Sequence, residues 1–172
     1  MMAASRKGTT GLDPALEAEL LDVWAIRGRA DKQTYIDLGC KGPQGPCVAA
    51  MQNAIKAYLD AYVRSKKGSR YYPGVNLLAL LTRARRDKIP ITDSLPIEEI
   101  ANAVIEETKD NPAAGTDPWI AASMGEAYLA LGNVEEAAAC FGRYIAHPSI
   151  NQFQLAGTIR NLEQVWGIQA GD

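Results

Sequence analysis

The chain has 172 residues, of which 47% are hydrophobic, and a formal net charge of −2. This length and composition predict one compact domain with a hydrophobic core, and the small net charge gives no general attraction to nucleic acid or to a membrane surface. The longest apolar run, 75–81, is too short to cross a bilayer, and the start of the chain lacks the apolar core of a secretory signal, so we expect a cytoplasmic protein and no membrane partner.

The three cysteines, Cys40, Cys47 and Cys140, are an odd number in a chain without a secretory signal, which favours free thiols over disulfides. Cys40 and Cys47 flank a loop rich in glycine and proline, but their spacing does not match a zinc knuckle. The single histidine, His147, is distant in sequence. We therefore expect no metal site and no cofactor, and we expect Cys140 to be a small core residue.

Hydrophobic periodicity predicts helices along the whole chain, because no stretch alternates with the period of a strand. Residues 1–11 are polar and are predicted to be a disordered tail, followed by a single helical domain over 12–168. Asp13-Pro14 is typical of a helix start, and Gly28 is predicted to end that helix. A second, shorter helical segment is predicted over 31–38.

Three helices are predicted in the middle of the chain. The first runs from Val48 to about Lys67 and, with the segment before it, forms a degenerate helix pair in which Leu38-Gly39 provides a large–small contact. The second, over 71–86, is apolar on nearly all sides, which predicts a central position. The third, over 97–108, completes a second pair after an extended loop.

Residues 118–151 match one complete tetratricopeptide repeat, which is a pair of antiparallel helices of about 34 residues. Met124-Gly125 falls at the large–small position of the first helix, and Tyr128 falls at its aromatic position. Ala137 and Phe141 fall at the small and aromatic positions of the second helix. Small residues at these positions allow two helices to approach closely, and the aromatic rings fill the space beside them.

A last helix is predicted from about residue 151 to residue 166, and its apolar side covers the exposed end of the helical array. That side comprises Phe153, Ile159, Leu162, Val165 and Trp166. The sequence therefore predicts an all-α, tetratricopeptide-like solenoid of about three helix pairs plus a C-terminal capping helix.

Two blocks of the sequence carry a family resemblance. The first, Tyr71–Asn76, matches a Tyr-Tyr-x-Gly-Ile-Asn-like helix start, and the second combines Asp117 and Trp119 with Gly125-Glu126-Ala127 in an Ala-rich helix. Here the chain resembles the TRAF-binding (central regulatory) domain of apoptosis signal-regulating MAP kinase kinase kinases and its bacterial relatives. The resemblance extends over roughly 31–166. It implies a helical regulatory module of a signalling protein, without implying that TRAF proteins are the partners.

The leading hypothesis is a non-catalytic interaction module that binds a peptide segment or partner domain of another protein. The first helix of each pair usually lines the inner surface of such a solenoid, so partner-binding residues are expected there. The candidates on first helices are Tyr72, Asn76, Arg83, Trp119, Ser123 and Glu126. For Tyr72, Asn76 and Glu126 a packing or pairing role within the chain remains the alternative interpretation.

Two other functions are retained. A structural domain could associate with a second copy or dock within its own chain. A small enzyme is disfavoured, because the sequence has no phosphate-binding glycine motif, no HExxH and no GxSxG. The basic segment 64–88 and the acidic segment 93–110 are expected to be solvated or partly paired with each other. The alternative is that the basic segment binds an acidic protein partner or nucleic acid. No RNA-binding or recognition-helix pattern favours nucleic acid.

Overall fold

The computed structural model describes residues 13–40, 42–92 and 95–169, and the predicted tail 1–11 lies outside these ranges. The described part of the chain is all-helical and contains no strand, as the periodicity predicts. None of its helices is both long and apolar enough to cross a membrane. Its helical segments, in chain order, are α1 (Pro14–Asp37), α2 (Gly45–Arg64), α3 (Tyr71–Arg86), α4 (Ile97–Lys109), α5 (Pro118–Ala130), α6 (Val134–Ile145), α7 (Gln152–Asn161) and a π-helical turn, Leu162–Trp166.

Consecutive helices pack against each other in chain order from α1 to α6, and α3 also contacts α5. The main core lies among α2, α3 and α4, where Met51, Leu77, Leu78 and Ile100 are completely buried. Helix α3 contacts α2, α4, α5 and the π turn, so the central position predicted from its apolar composition is confirmed. Asp117 caps α5, because its carboxylate accepts the backbone N–H of Trp119.

Gly28 does not end a helix, and the two helices predicted before residue 39 are one continuous helix, α1. A Cβ at Gly28 would lie 2.7 Å from Cε2 of Tyr58 on α2, so the glycine allows α1 and α2 to approach closely. The packing of a buried aromatic ring outweighs the low helix propensity of glycine. The helix ends instead before Gly39, which has a φ of 61°.

The prediction of free thiols is wrong for Cys40 and Cys47, which form a disulfide with a Cα–Cα distance of 5.8 Å. Helices α1 and α2 form a hairpin, so the end of one and the start of the other meet across the Gly/Pro loop. This tertiary contact brings the two thiols together, and an odd cysteine count carries no information about it. Cys140 is a free, buried thiol, as predicted.

The expected apolar side of the last helix is only partly correct. Val165 and Trp166 are buried, but Phe153 is 87% exposed and Ile159 is 45% exposed. Helix α7 reaches α6 through a hydrogen bond from the Thr158 hydroxyl to the Tyr144 hydroxyl, whereas the π turn packs on α3. The C-terminal segment therefore contacts α6 through α7 and α3 through the π turn.

Replacing Gly28 with alanine should destabilise the fold by about 1–3 kcal/mol, because the new methyl group would overlap the buried Tyr58 ring. Chemical denaturation measures this change. The matched control is G142A in α6, where a Cβ meets nothing within 4 Å and the higher helix propensity of alanine should raise stability by up to about 1 kcal/mol. Equal stabilisation by both substitutions would contradict the close approach of α1 and α2.

Removing the disulfide should lower the free energy of unfolding by about 2–3 kcal/mol, because the bond closes a short loop with a sequence separation of 7. The variant C40A/C47A should unfold at lower denaturant concentration than the oxidised wild type. Dithiothreitol should shift the wild type in the same direction. It should leave C40A/C47A unchanged, and a shift in that variant would show that the reductant acts elsewhere.

Candidate docking site

The C-terminal arm comprises residues 152–168, and its last part, 161–168, contacts α1, α3 and α5. The partner-binding residues predicted from the sequence lie on two of these helices, α3 and α5. We call the surface under the arm the first-helix face, and it comprises Lys32 on α1, Asn76, Arg83 and Arg86 on α3, and Glu126 on α5.

The arm and the first-helix face share a hydrophobic cluster that is separate from the main core. Its buried members are Ala79 from α3 and Val165 and Trp166 from the π turn. Partly buried side chains from α1, α5 and the arm surround it; they are Ile36, Leu129, Ala130, Leu162 and Ile168. Burial of the tryptophan ring gives the arm a large apolar anchor at its far end.

Glu126 receives two hydrogen bonds from the arm on the same carboxylate oxygen, Oε2. Nδ2 of Asn161 donates at 3.0 Å and Nε1 of Trp166 donates at 2.7 Å. Oδ1 of Asn161 accepts from Nζ of Lys32 at 3.4 Å, and the same ammonium donates to Oδ1 of Asn76 at 3.2 Å. These side chains therefore form a continuous polar chain that joins α3, α1, the arm and α5.

The π turn explains how Asn161 and Trp166 reach one oxygen. In an α-helix of 3.6 residues per turn, two residues five positions apart point in different directions. A π-helix closes its hydrogen bonds between residues five apart, so residues at this spacing lie on the same side. The backbone N–H of Gly167 bonds the carbonyl of Leu162 in this pattern.

Burial shifts the pKa values of the two ionisable groups in the polar chain, Glu126 and Lys32. Removal from water raises the pKa of Glu126, opposed by the hydrogen bond from Trp166, the charge of Lys32 and the hydrogen bond from Asn161. Burial likewise lowers the pKa of Lys32, opposed by the charge of Glu126. Asn161 stands between the two charged groups, bonding one through its carbonyl oxygen and the other through its amide nitrogen.

Two arginines of α3 hold the backbone of the π turn. Nη1 of Arg83 donates to the carbonyl of Gln164, and Arg86 donates to the carbonyl of Trp166 through Nη1 and to that of Val165 through Nη2, the last at 3.0 Å. The last carbonyls of a helix have no partner within the helix and carry its negative dipole end. The guanidinium groups satisfy these carbonyls and complement the dipole.

Asp87 positions the two arginines. Its carboxylate forms ion pairs with Arg83 and Arg86, and the Tyr35 hydroxyl donates to it. Burial by itself would raise the pKa of Asp87, but the hydrogen bonds from Tyr35 and Arg83 and the charges of both arginines lower it below its usual range. Arg83 also donates to the carbonyl of Cys40 at 3.3 Å, which ties it to the disulfide loop.

The six residues predicted to bind a partner lie in different surroundings. Asn76, Arg83 and Glu126 come together under the arm. Tyr72 is 41% exposed and its hydroxyl accepts from Arg29, whereas Trp119 is 42% exposed with its ring 5.6 Å from that of Tyr144. Ser123 is buried.

Four members of this site, Lys32, Arg86, Asn161 and Trp166, are not predicted from the sequence. Trp166 is predicted only as an apolar residue, although its indole N–H needs a partner when it is buried. The one signal in the sequence is the spacing of five residues between two side-chain N–H donors, Asn161 and Trp166.

The basic and acidic segments have mixed roles. Arg83 and Arg86 bind the arm, and Arg64 lies 4.8 Å from the ring centroid of Trp24. Glu107 of the acidic segment accepts the backbone N–H groups of Arg70 and Tyr71 at the start of α3. Within the described ranges no ion pair joins the two segments.

Two surface concavities lie elsewhere in the described residues. The best-formed surface concavities have volumes of about 270 and 410 Å³, one beside α2 and one beside the end of α4, and neither includes a residue of the first-helix face. No group of three or more His, Cys, Asp or Glu side chains in the described ranges is arranged to hold a metal ion.

Comparison with models of known protein families, with curated proteins and with solved structures finds no match to this chain.

Replacing Glu126 with glutamine should change how stability depends on pH. The raised pKa of Glu126 means that its contribution to stability is fully present below the unfolded value of about 4.5 and is lost as the pH rises through the folded value. The free energy of unfolding of the wild type should therefore fall relative to that of E126Q between pH 4 and pH 7.

Denaturant unfolding at several pH values tests this expectation. The control is E163Q on the exposed side of the arm, which should keep the pH dependence of the wild type. A constant difference between the wild type and E126Q over the same range would contradict the burial of the Glu126 carboxylate.

Proposed function

We propose that this protein is a non-catalytic interaction module whose first-helix face binds a helical segment of a protein partner. The observation that carries the proposal is that this face already holds such a segment, the C-terminal arm. It does so through features that many helix ends offer: terminal carbonyls for Arg83 and Arg86, and an apolar anchor for the cluster around Ala79. This is the helix-in-groove mode of peptide recognition.

The proposal includes a tetratricopeptide-like arrangement of the helix pairs. It is supported by a contact that recurs between first and second helices. A Cβ at Gly28 on α1 would lie 2.7 Å from the Tyr58 ring of α2, and one at Gly125 on α5 would lie 3.1 Å from the Phe141 ring of α6. Both rings stand four residues after a buried alanine, Ala54 or Ala137. The same spacing and the same contact in two pairs are expected of repeats.

We further propose that the module is regulatory, as the resemblance to the TRAF-binding domain of apoptosis signal-regulating kinases implies. The two blocks that carry the resemblance, Tyr71–Asn76 and 117–127, fall on α3 and α5, which supply most of the first-helix face. The proposal does not depend on the compartment. A reducing cytoplasm would open the disulfide, but the face uses Cys40 only through its backbone carbonyl.

The second candidate function is structural docking within the chain. The same arm supports it, because its anchor at Trp166 and its bonds to Glu126 are those of a permanently packed segment. The two functions differ in one respect. A docking module exchanges the arm for another helix, whereas a structural arm leaves no accessible face.

The variant W166A distinguishes the two. Truncation of the buried indole should weaken arm docking by about 3–5 kcal/mol. The full-length variant should then bind a fluorescein-labelled peptide of residues 151–169 at least about tenfold more tightly than the wild type, as measured by fluorescence anisotropy.

The control F153A changes an aromatic residue of the same arm that is 87% exposed, and it should bind the peptide as weakly as the wild type. A W166A protein that retains its helical circular dichroism but does not bind the peptide would refute the docking module and favour the structural arm. If W166A does not fold, N161A/W166F, which keeps an aromatic ring, takes its place.

A further inference from the structure

Resting on the proposed function, we infer the kind of partner that the first-helix face selects. It is a helix whose last turn is a π turn with a side-chain amide five residues before a tryptophan. Asn161 and Trp166 of the arm are the chain's own copy of this recognition element. The arm is therefore a built-in competitor that an external segment with the same element replaces.

Selection depends on Glu126, because it accepts the side-chain N–H groups of both Asn161 and Trp166. Its Oε2 receives the amide and the indole at 3.0 and 2.7 Å. A hydrogen bond to a charged group contributes more than a neutral one, and a partly buried acceptor that loses its donor also loses the compensation for its desolvation. A ligand that lacks one of these two N–H groups is therefore expected to bind more weakly, even when its shape fits the face.

Arg83 and Arg86 contribute to affinity but do not distinguish between side chains of the ligand. Arg83 and Arg86 bond the backbone carbonyls of Gln164, Val165 and Trp166, which any residue type would present. Their role is to require a helix end at this place, since carbonyls in the middle of a helix are occupied by its own N–H groups. The contacts with backbone carbonyls thus determine where the bound helix ends, while Glu126 determines which side chains it must carry.

The recognition element is short. Phe153 and Ile159 of α7 are exposed, and the Thr158 hydroxyl bonds the Tyr144 hydroxyl of α6 and not the first-helix face. The contacts that distinguish one sequence from another are concentrated between Asn161 and Trp166. A partner needs to reproduce that spacing, and the residues before it are free to vary.

A peptide panel tests the inference on full-length W166A, with N161A/W166F as the replacement receptor if W166A does not fold. The panel contains the peptide of residues 151–169 and its variants W166F, N161A and F153A. The W166F peptide keeps an aromatic ring and removes the indole N–H, and it should bind about tenfold or more weakly than the parent. The N161A peptide should show a loss of similar size, and the F153A peptide should bind as the parent does.

A second receptor, W166A/E126M, isolates the role of the carboxylate. Methionine has a similar length but offers no strong acceptor, so the parent and W166F peptides should bind this receptor with affinities within about threefold of each other. Equal binding of all four peptides to W166A would overturn the inference and leave the docking function standing. Failure of every peptide to bind a folded receptor would instead overturn the docking function, and the inference with it.

Discussion

The docking of the C-terminal arm depends on one partly buried carboxylate. Burial raises the pKa of Glu126. Its two hydrogen-bond donors, Asn161 and Trp166, both belong to the arm. Lys32, whose pKa burial lowers, meets the same arm through Asn161. Charges buried in this way are costly unless they are hydrogen-bonded. The face therefore needs an occupant that carries suitable donors, and the arm is that occupant.

The arginine side of the face is held in place by Asp87, Tyr35 and the carbonyl of Cys40. Asp87 and Tyr35 fix Arg83, and the carbonyl of Cys40 gives it a further acceptor. Helix α1, the disulfide loop and the end of α3 thus hold one guanidinium in place before it meets the carbonyl of Gln164. Side chains held by such contacts lose less conformational freedom on binding, which strengthens the contact with whatever helix end lies there.

The sequence predicts those features that local pattern controls, and it misses those that arise from contacts between distant helices. The apolar α3 and the capped start of α5 follow from periodicity and from Asp117-Pro118. The role of Gly28 cannot be predicted from local pattern, because it depends on the Tyr58 ring of another helix. The pairing of Cys40 with Cys47 depends on the hairpin formed by α1 and α2. At the site, the first-helix rule finds Glu126, but α-helical spacing hides the relation of Asn161 to Trp166 until the π turn is known.

The arm also sets how strongly a partner must bind. A segment tethered to its own site has an effective concentration in the millimolar range for a short linker, so an external helix competes against the arm as well as against solvent. The observed affinity for a partner is then the intrinsic affinity multiplied by the fraction of molecules whose arm is undocked. The exposed Phe153 contributes little to holding the arm, whereas the turn at Asn161–Trp166 carries its buried indole and its bonds to Glu126, so this turn has a large effect on the fraction. The residues that define the ligand therefore also determine the threshold for binding it.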